Sequence, residues 1–164
     1  AFMKYTATFF WVCLATSIIS CSKQQQPTQP DPSLAGDWKM TLYIDSTRGI
    51  TETKAESYLN FNPFMATTPY PPAGDVVMKI SFTDATELTG KIEGNTIFNG
   101  FVIGFSRTPG YQFTTNGGIW TLSLDPPWGQ YFYNCMQTAN AYGFDAALRL
   151  LIKSPTKTLV FVKQ

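Results

Sequence analysis

What most limits the fold of this chain is a two-residue alternation of apolar and polar side chains, renewed in short segments from residue 38 onward. Trp38, Met40, Leu42 and Ile44 alternate with Lys39, Thr41, Tyr43 and Asp45. Period two puts successive side chains on opposite faces of an extended backbone, so this segment predicts a half-buried strand. Gly36 leads into it, and Asp45-Ser46-Thr47-Arg48-Gly49 turns out of it. Val76 to Thr83 predicts a strand with Met78, Ile80 and Phe82 inward, and Leu88, Gly90 and Ile92 mark another after the turn Asp84-Ala85-Thr86. Gly94-Asn95 predicts a turn, and Ile97 to Phe105 a strand with Ile97, Asn99, Phe101, Ile103 and Phe105 on one face. After the turn Thr108-Pro109-Gly110, Tyr111 to Thr115 and Ile119 to Leu124 read as a hairpin around Asn116-Gly117-Gly118, residues that tolerate positive φ. Ser57 to Phe64 is a further strand candidate, and the prolines between Asn62 and Asp75 predict a loop there.

The period changes once. After Asp125-Pro126-Pro127, apolar residues fall at Trp128, Phe132, Cys135, Met136 and Ala139, a helical stripe opened by proline and predicted to close near Gly143. Ala147 to Lys153 and Thr158 to Lys163 then predict a last hairpin around Ser154-Pro155-Thr156. The expected fold is mostly β (α+β): a curved antiparallel sheet or partly open barrel of about eight strands, with one helix before the final hairpin. Such a helix plugs a barrel end or fills the crevice where strands fail to close.

The first thirty-three residues have a different character. Met3-Lys4 reads as a start with a minimal basic region, ahead of which Ala1 and Phe2 stand outside the reading. Tyr5 to Ser20 carries no charge and is too short and too rich in Thr and Ser to predict a membrane span. It ends in Ile18-Ile19-Ser20-Cys21, which resembles the lipobox of bacterial lipoproteins. The resemblance implies a signal peptide over 1–20, cleavage before Cys21 and lipid on the Cys21 thiol and amine. Each buried methylene adds ~0.8 kcal/mol, so several acyl chains hold a protein where one would not. Ser22 to Ser33 has no large apolar residue and three prolines, so residues 21–33 predict an extended, solvated tether of ~3 Å per residue. Ser22 after the cysteine resembles an outer-membrane sorting context, implying a periplasm-facing outer-membrane lipoprotein of the cell envelope.

Residues 34–164 are of single-domain length. Losing Lys4 with the leader leaves eleven basic against eleven acidic residues, scattered singly, so nucleic acid is not an expected partner. With Cys13 in the leader and Cys21 as anchor, Cys135 has no mate, and the domain must stand on its core rather than a disulfide.

Leu34-Ala35-Gly36-Asp37-Trp38, Ile80-Ser81-Phe82 leading to Gly90 and Asn95, Trp128-Gly129-x-x-Phe132, Leu148-x-Leu150 and Leu159-Val160-Phe161 follow one another in an order that resembles the META-domain and META-like small bacterial lipoproteins. The Gly-x-Trp opening is also similar to that of lipocalins. The resemblance implies a curved antiparallel sheet with helix support, a stress-linked envelope role and no established catalytic residues. The chain departs from the better-studied branch at Gly94-Asn95, which have no cysteine between them.

The sequence contains no histidine, which removes Ser-His-Asp and Cys-His nucleophile systems, His-ligated zinc and His general bases. Cys135, on the apolar stripe of the helix, reads as a small core residue. Glu87 and Glu93 are the candidate carboxylates for a hydrolase, which needs two acids facing one cleft. Gly117-Gly118 lies between strands and so is not a phosphate-cradling loop. No catalytic residue, metal ligand or cofactor is therefore assigned. Among the 13 Phe, 8 Tyr and 4 Trp, the rings of Tyr58, Phe61, Phe64 and Tyr70 have no periodicity that assigns them to a core face. They, with Trp128, are the candidate ligand-contacting aromatics, the alternative being that they cap the core. The expected function is a non-enzymatic, lipid-anchored protein that meets the membrane through its lipid and binds an envelope protein or small apolar ligand. A calycin-like carrier or inhibitor and a carboxylate-dependent hydrolase are the alternatives.

Overall fold

The computed structural model of the protein describes residues 33–61, 74–121 and 125–164. Its strands are β1 (Gly36–Asp45), β2 (Ile50–Glu52), β3 (Val77–Phe82), β4 (Thr89–Asn95), β5 (Gly100–Thr108), β6 (Gln112–Trp120), β7 (Ala141–Phe144), β8 (Leu150–Lys153) and β9 (Lys157–Lys163). Two short helices, α1 (Lys54–Phe61) and α2 (Pro127–Met136), complete it.

The alternating segments pair antiparallel in sequence order from β3 to β9, and β1 joins β3 on one side and β9 on the other. The sheet therefore closes into an eight-stranded barrel, with β2 added beside the far half of β1. Closure runs along β1 and β9 from Trp38↔Lys163 to Asp45↔Lys157. Closing the ring removes the free edges that an open sheet would leave. Trp38 anchors the start of β1: its ring is buried, its Nε1 donates to the Leu34 carbonyl at 2.9 Å, and Lys163 Nζ lies 5.5 Å from its centroid.

One seam is weak. β6 and β7 share the single register pair Gln112↔Ala141, flanked by Phe113 N–H to Asn140 O at 3.1 Å and Tyr142 N–H to Tyr111 O at 2.9 Å. Further along β6, α2 stands where a strand would, with Thr115 Oγ1 donating to the Met136 carbonyl at 2.9 Å. The buried stripe of α2, including Trp128, Phe132, Cys135 and Met136, enters the core. There Phe132 meets Phe101 at 4.8 Å and Phe161 at 6.3 Å between centroids.

Several expectations are corrected. In β1 the alternation breaks at Thr41, where Met40 pairs with Phe161 and Leu42 with the very next residue, Val160. This bulge turns Tyr43 and Asp45 inward and Leu42 and Ile44 away from the buried set. Residues 57–61 are helical, not extended, because Thr53 and Glu56 form a reciprocal cap: the Thr53 N–H and hydroxyl both donate to Glu56 Oε2, at 2.7 and 2.8 Å. The rest of that candidate strand, 62–64, lies outside the described residues. Asn116-Gly117-Gly118 is not a hairpin turn. β6 runs straight through it, and a bulge between the pairs Ile103↔Gly118 and Phe105↔Thr115 takes up the extra residue, with Gly117 at φ +71°. Gly94-Asn95 belongs to β4, and the turn falls one step later, closed by Thr96 N–H to Asn99 O at 2.7 Å. The second helix stops at Met136, not near Gly143, because residues 141–144 are drawn into pairing with β8.

Candidate functional site

Two of the departures from regular pairing, the bulge in β6 and the α2-filled seam, meet at one place and leave a pocket of about 220 Å³ there. Before the bulge, Phe113 and Thr115 face α2 and the core, and after it the same face is carried by Gly118 and Trp120, opposite Ile103 and Phe101. Gly118 brings no side chain, so the wall is low between Thr115 and Trp120. From the other side, successive turns of α2 and its end supply Tyr133, Met136 and Gln137.

Trp120 is held on three sides. It stacks on Phe101 at 5.0 Å and meets Phe132 at 5.9 Å, while Tyr133 stands nearly perpendicular to it, at 84° and 4.7 Å between centroids. Two aromatic planes thus form a right-angled corner with fixed geometry. Met136 and Ile103 are buried at its floor, and Gly117, Gly118 and Gln137 are exposed at its rim. No charged residue lines it. On the outer wall beside it, the register partners Val102 and Ile119 are 45% and 77% exposed.

The residues singled out from sequence lie elsewhere. Tyr58 on α1 and Trp128 at the start of α2 are both fully buried, so neither presents a ring face to solvent. Phe61 ends α1, and Cys21, Phe64 and Tyr70 lie outside the described residues. Cys135 is buried and free, and burial pushes its thiol pKa up to about 11, the opposite of what a nucleophile needs. Glu87 and Glu93 do not share a cleft. Glu87 sits in the β3–β4 loop with Arg107 Nη2 at 3.0 Å, and Glu93 lies along β4 with Lys91 Nζ at 2.8 Å. Lys91 holds the Glu93 carboxyl below the usual carboxylate range.

Arg107 of β5 links β3, β7 and the β3–β4 loop. Its Nη1 donates to the Tyr142 hydroxyl at 2.8 Å and its guanidinium lies 4.8 Å from the Phe82 centroid. Next to α1 a polar cluster surrounds stacked Tyr43 and Tyr131, 4.1 Å apart. Asp45 there accepts from Arg48 Nε at 2.8 Å and from the Tyr43 hydroxyl at 3.2 Å, while Glu52 Oε1 accepts from Asn60 at 2.7 Å. Burial pushes the Tyr43 pKa up to about 12. Among the described residues, Glu52 Oε2 is buried with no hydrogen-bond partner, while the bond from Asn60 to Oε1 ties the β1–β2 hairpin to α1.

Among the described residues, no three His, Cys, Asp or Glu side chains gather to hold a metal, and no helix is long and apolar enough to cross a membrane. Trp120, Tyr133 and Gln137 escaped sequence reasoning because the pocket depends on a bulge. The available signal was that Phe113 and Thr115 continue in phase with Gly118 and Trp120 once one extra residue is inserted between them. No family model, curated protein or solved structure matches this chain.

Proposed function

We propose that the protein is a lipid-anchored, non-enzymatic binding module of the bacterial envelope, similar in kind to META-like lipoproteins. It is held to the membrane through Cys21 and binds a small uncharged ligand at the corner formed by Trp120 and Tyr133. The observation that carries the binding reading is this pocket: rigid aromatic walls, an uncharged lining and an open rim, built where two irregularities of the barrel coincide. The anchoring reading rests on the apolar leader, Cys21 and the proline-rich tether that follows.

A calycin-like carrier, with cargo inside the barrel, is the second reading, favoured by barrel closure. Phe101, Phe132 and Phe161 occupy the interior and would have to move aside for cargo, so the wall pocket is the better site.

Cell fractionation of the natural protein and of Cys21→Ser tests the anchor. The natural chain should fractionate with the membranes and the variant in the soluble fraction. Membrane attachment that survives the substitution contradicts it.

A further inference from the structure

The polar groups around the aromatic corner say which class of small molecule it takes. The inference rests on the pocket being a binding site, and narrows what it binds. The Tyr133 hydroxyl, the Gln137 amide and Trp120 Nε1 make no hydrogen bond among the described residues, and none of the three is a sealed, buried group. Thr115 Oγ1 gives its proton to the Met136 carbonyl and keeps its lone pairs. The pocket therefore offers an indole N–H donor, a carboxamide that both donates and accepts, a phenol, and a hydroxyl oxygen that accepts.

A ligand with a full charge would find no counter-ion among the lining residues. A pure hydrocarbon ring would strip water from these groups and return no hydrogen bonds, each unmatched group weakening binding by roughly an order of magnitude. What remains is an uncharged ring with an apolar face for the aromatic wall and hydroxyl or amide groups around its edge. A volume of about 220 Å³ has room for one such ring and not for an extended chain. Gly117 and Gly118 bring no side chain to the rim, so the ring can continue into a longer molecule outside. We propose that the site between the β6 bulge and the end of α2 binds a single neutral pyranose unit, with Trp120 and Tyr133 as its aromatic walls and Gln137 reading its polar edge.

The test is titration of the full chain, purified in a detergent without a sugar headgroup, with glucose, galactose, N-acetylglucosamine and, as a hydrocarbon ring, toluene. The expected result is saturable binding of at least one of the three sugars, weakened about 5- to 10-fold by Gln137→Ala and by Tyr133→Phe. Gln137 is exposed and Tyr133→Phe keeps the ring, so both variants should keep the melting temperature of the natural chain. Binding of toluene alone, lost in Trp120→Phe, overturns the sugar assignment and leaves the pocket reading standing. No binding of any probe overturns both, as does sugar binding that all three variants leave unchanged.

Discussion

Gly129 leaves the space that Asp125 fills: a Cβ at position 129 would stand 2.6 Å from Asp125 Cγ and 2.7 Å from its Cβ. The carboxylate so placed accepts from Thr96 Oγ1 at 2.5 Å, from the Phe98 N–H at 2.8 Å and from Asn99 Nδ2 at 2.7 Å. It thereby pins the β4–β5 turn to the first turn of α2, the helix that fills the barrel seam and forms one wall of the pocket. Because Asp125 is buried, losing it strands three donors. Asp125→Ala and Gly129→Ala should each cost about 2–4 kcal/mol, and the double variant clearly less than their sum. Urea unfolding of the four chains checks this; additive losses would mean that Gly129 acts independently of the carboxylate.

Gly90 has a comparable role in the barrel wall. A Cβ there would lie 2.6 Å from the Phe105 ring and 2.4 Å from the Ser81 carbonyl oxygen, one of them rigid backbone. Phe105 is buried, stacked on Phe113 at 5.3 Å, and has little freedom to withdraw. Gly90→Ala should destabilise by about 1–3 kcal/mol through overpacking. The thermal midpoint reports it, and an unchanged midpoint would contradict the packing described.

Acid should loosen the link between β1 and α1. Lys39 Nζ lies 2.6 Å from Asp75 and holds its carboxyl below the usual carboxylate range, with burial opposing and Lys54, at 3.3 Å, assisting. A pKa lower in the folded chain than in the unfolded one adds stability that is present above the unfolded value. That stability is lost as pH falls toward the folded value. The side chains are about one-third exposed, so the contribution should be under about 1 kcal/mol. Asp75→Asn should be less stable than the natural chain at pH 7 and converge with it at low pH; a constant difference across pH would refute the electrostatic origin.

Cys135 should be chemically silent until the fold opens. Burial raises its thiol pKa to about 11, so little thiolate exists at neutral pH, and the side chain has no solvent access. In a Cys13→Ser, Cys21→Ser chain, a thiol reagent at pH 8 should leave Cys135 unmodified under native conditions. It should react fully in denaturant. Rapid native modification would place the sulfur at the surface.

Strand content was legible because alternation is a local property. Met78, Ile80, Leu150 and Ile152 are buried as their spacing requires. What escaped depends on single insertions into that rhythm. The extra residue at Thr41 carries Tyr43 from the polar series to the core, where Tyr131 of α2 meets it, and no local pattern foretells a partner so distant in sequence. Asn116-Gly117 has the same chemistry in a hairpin turn and in a bulge, because both need positive φ; only the pairing of β5 on both sides of it decides. The α1 helix did have a local sign, the Thr53-x-x-Glu56 cap, hidden by aromatic residues that also suit strands. The pocket was the least legible because it needs both the bulge and the end of α2.

Intact-mass spectrometry of the protein from the membrane fraction tests the account most directly. It should find a mature chain beginning at Cys21 whose mass exceeds that of residues 21–164 by the lipid attached to that residue. A soluble chain cut at another position, or one with an unmodified Cys21 thiol, would contradict it.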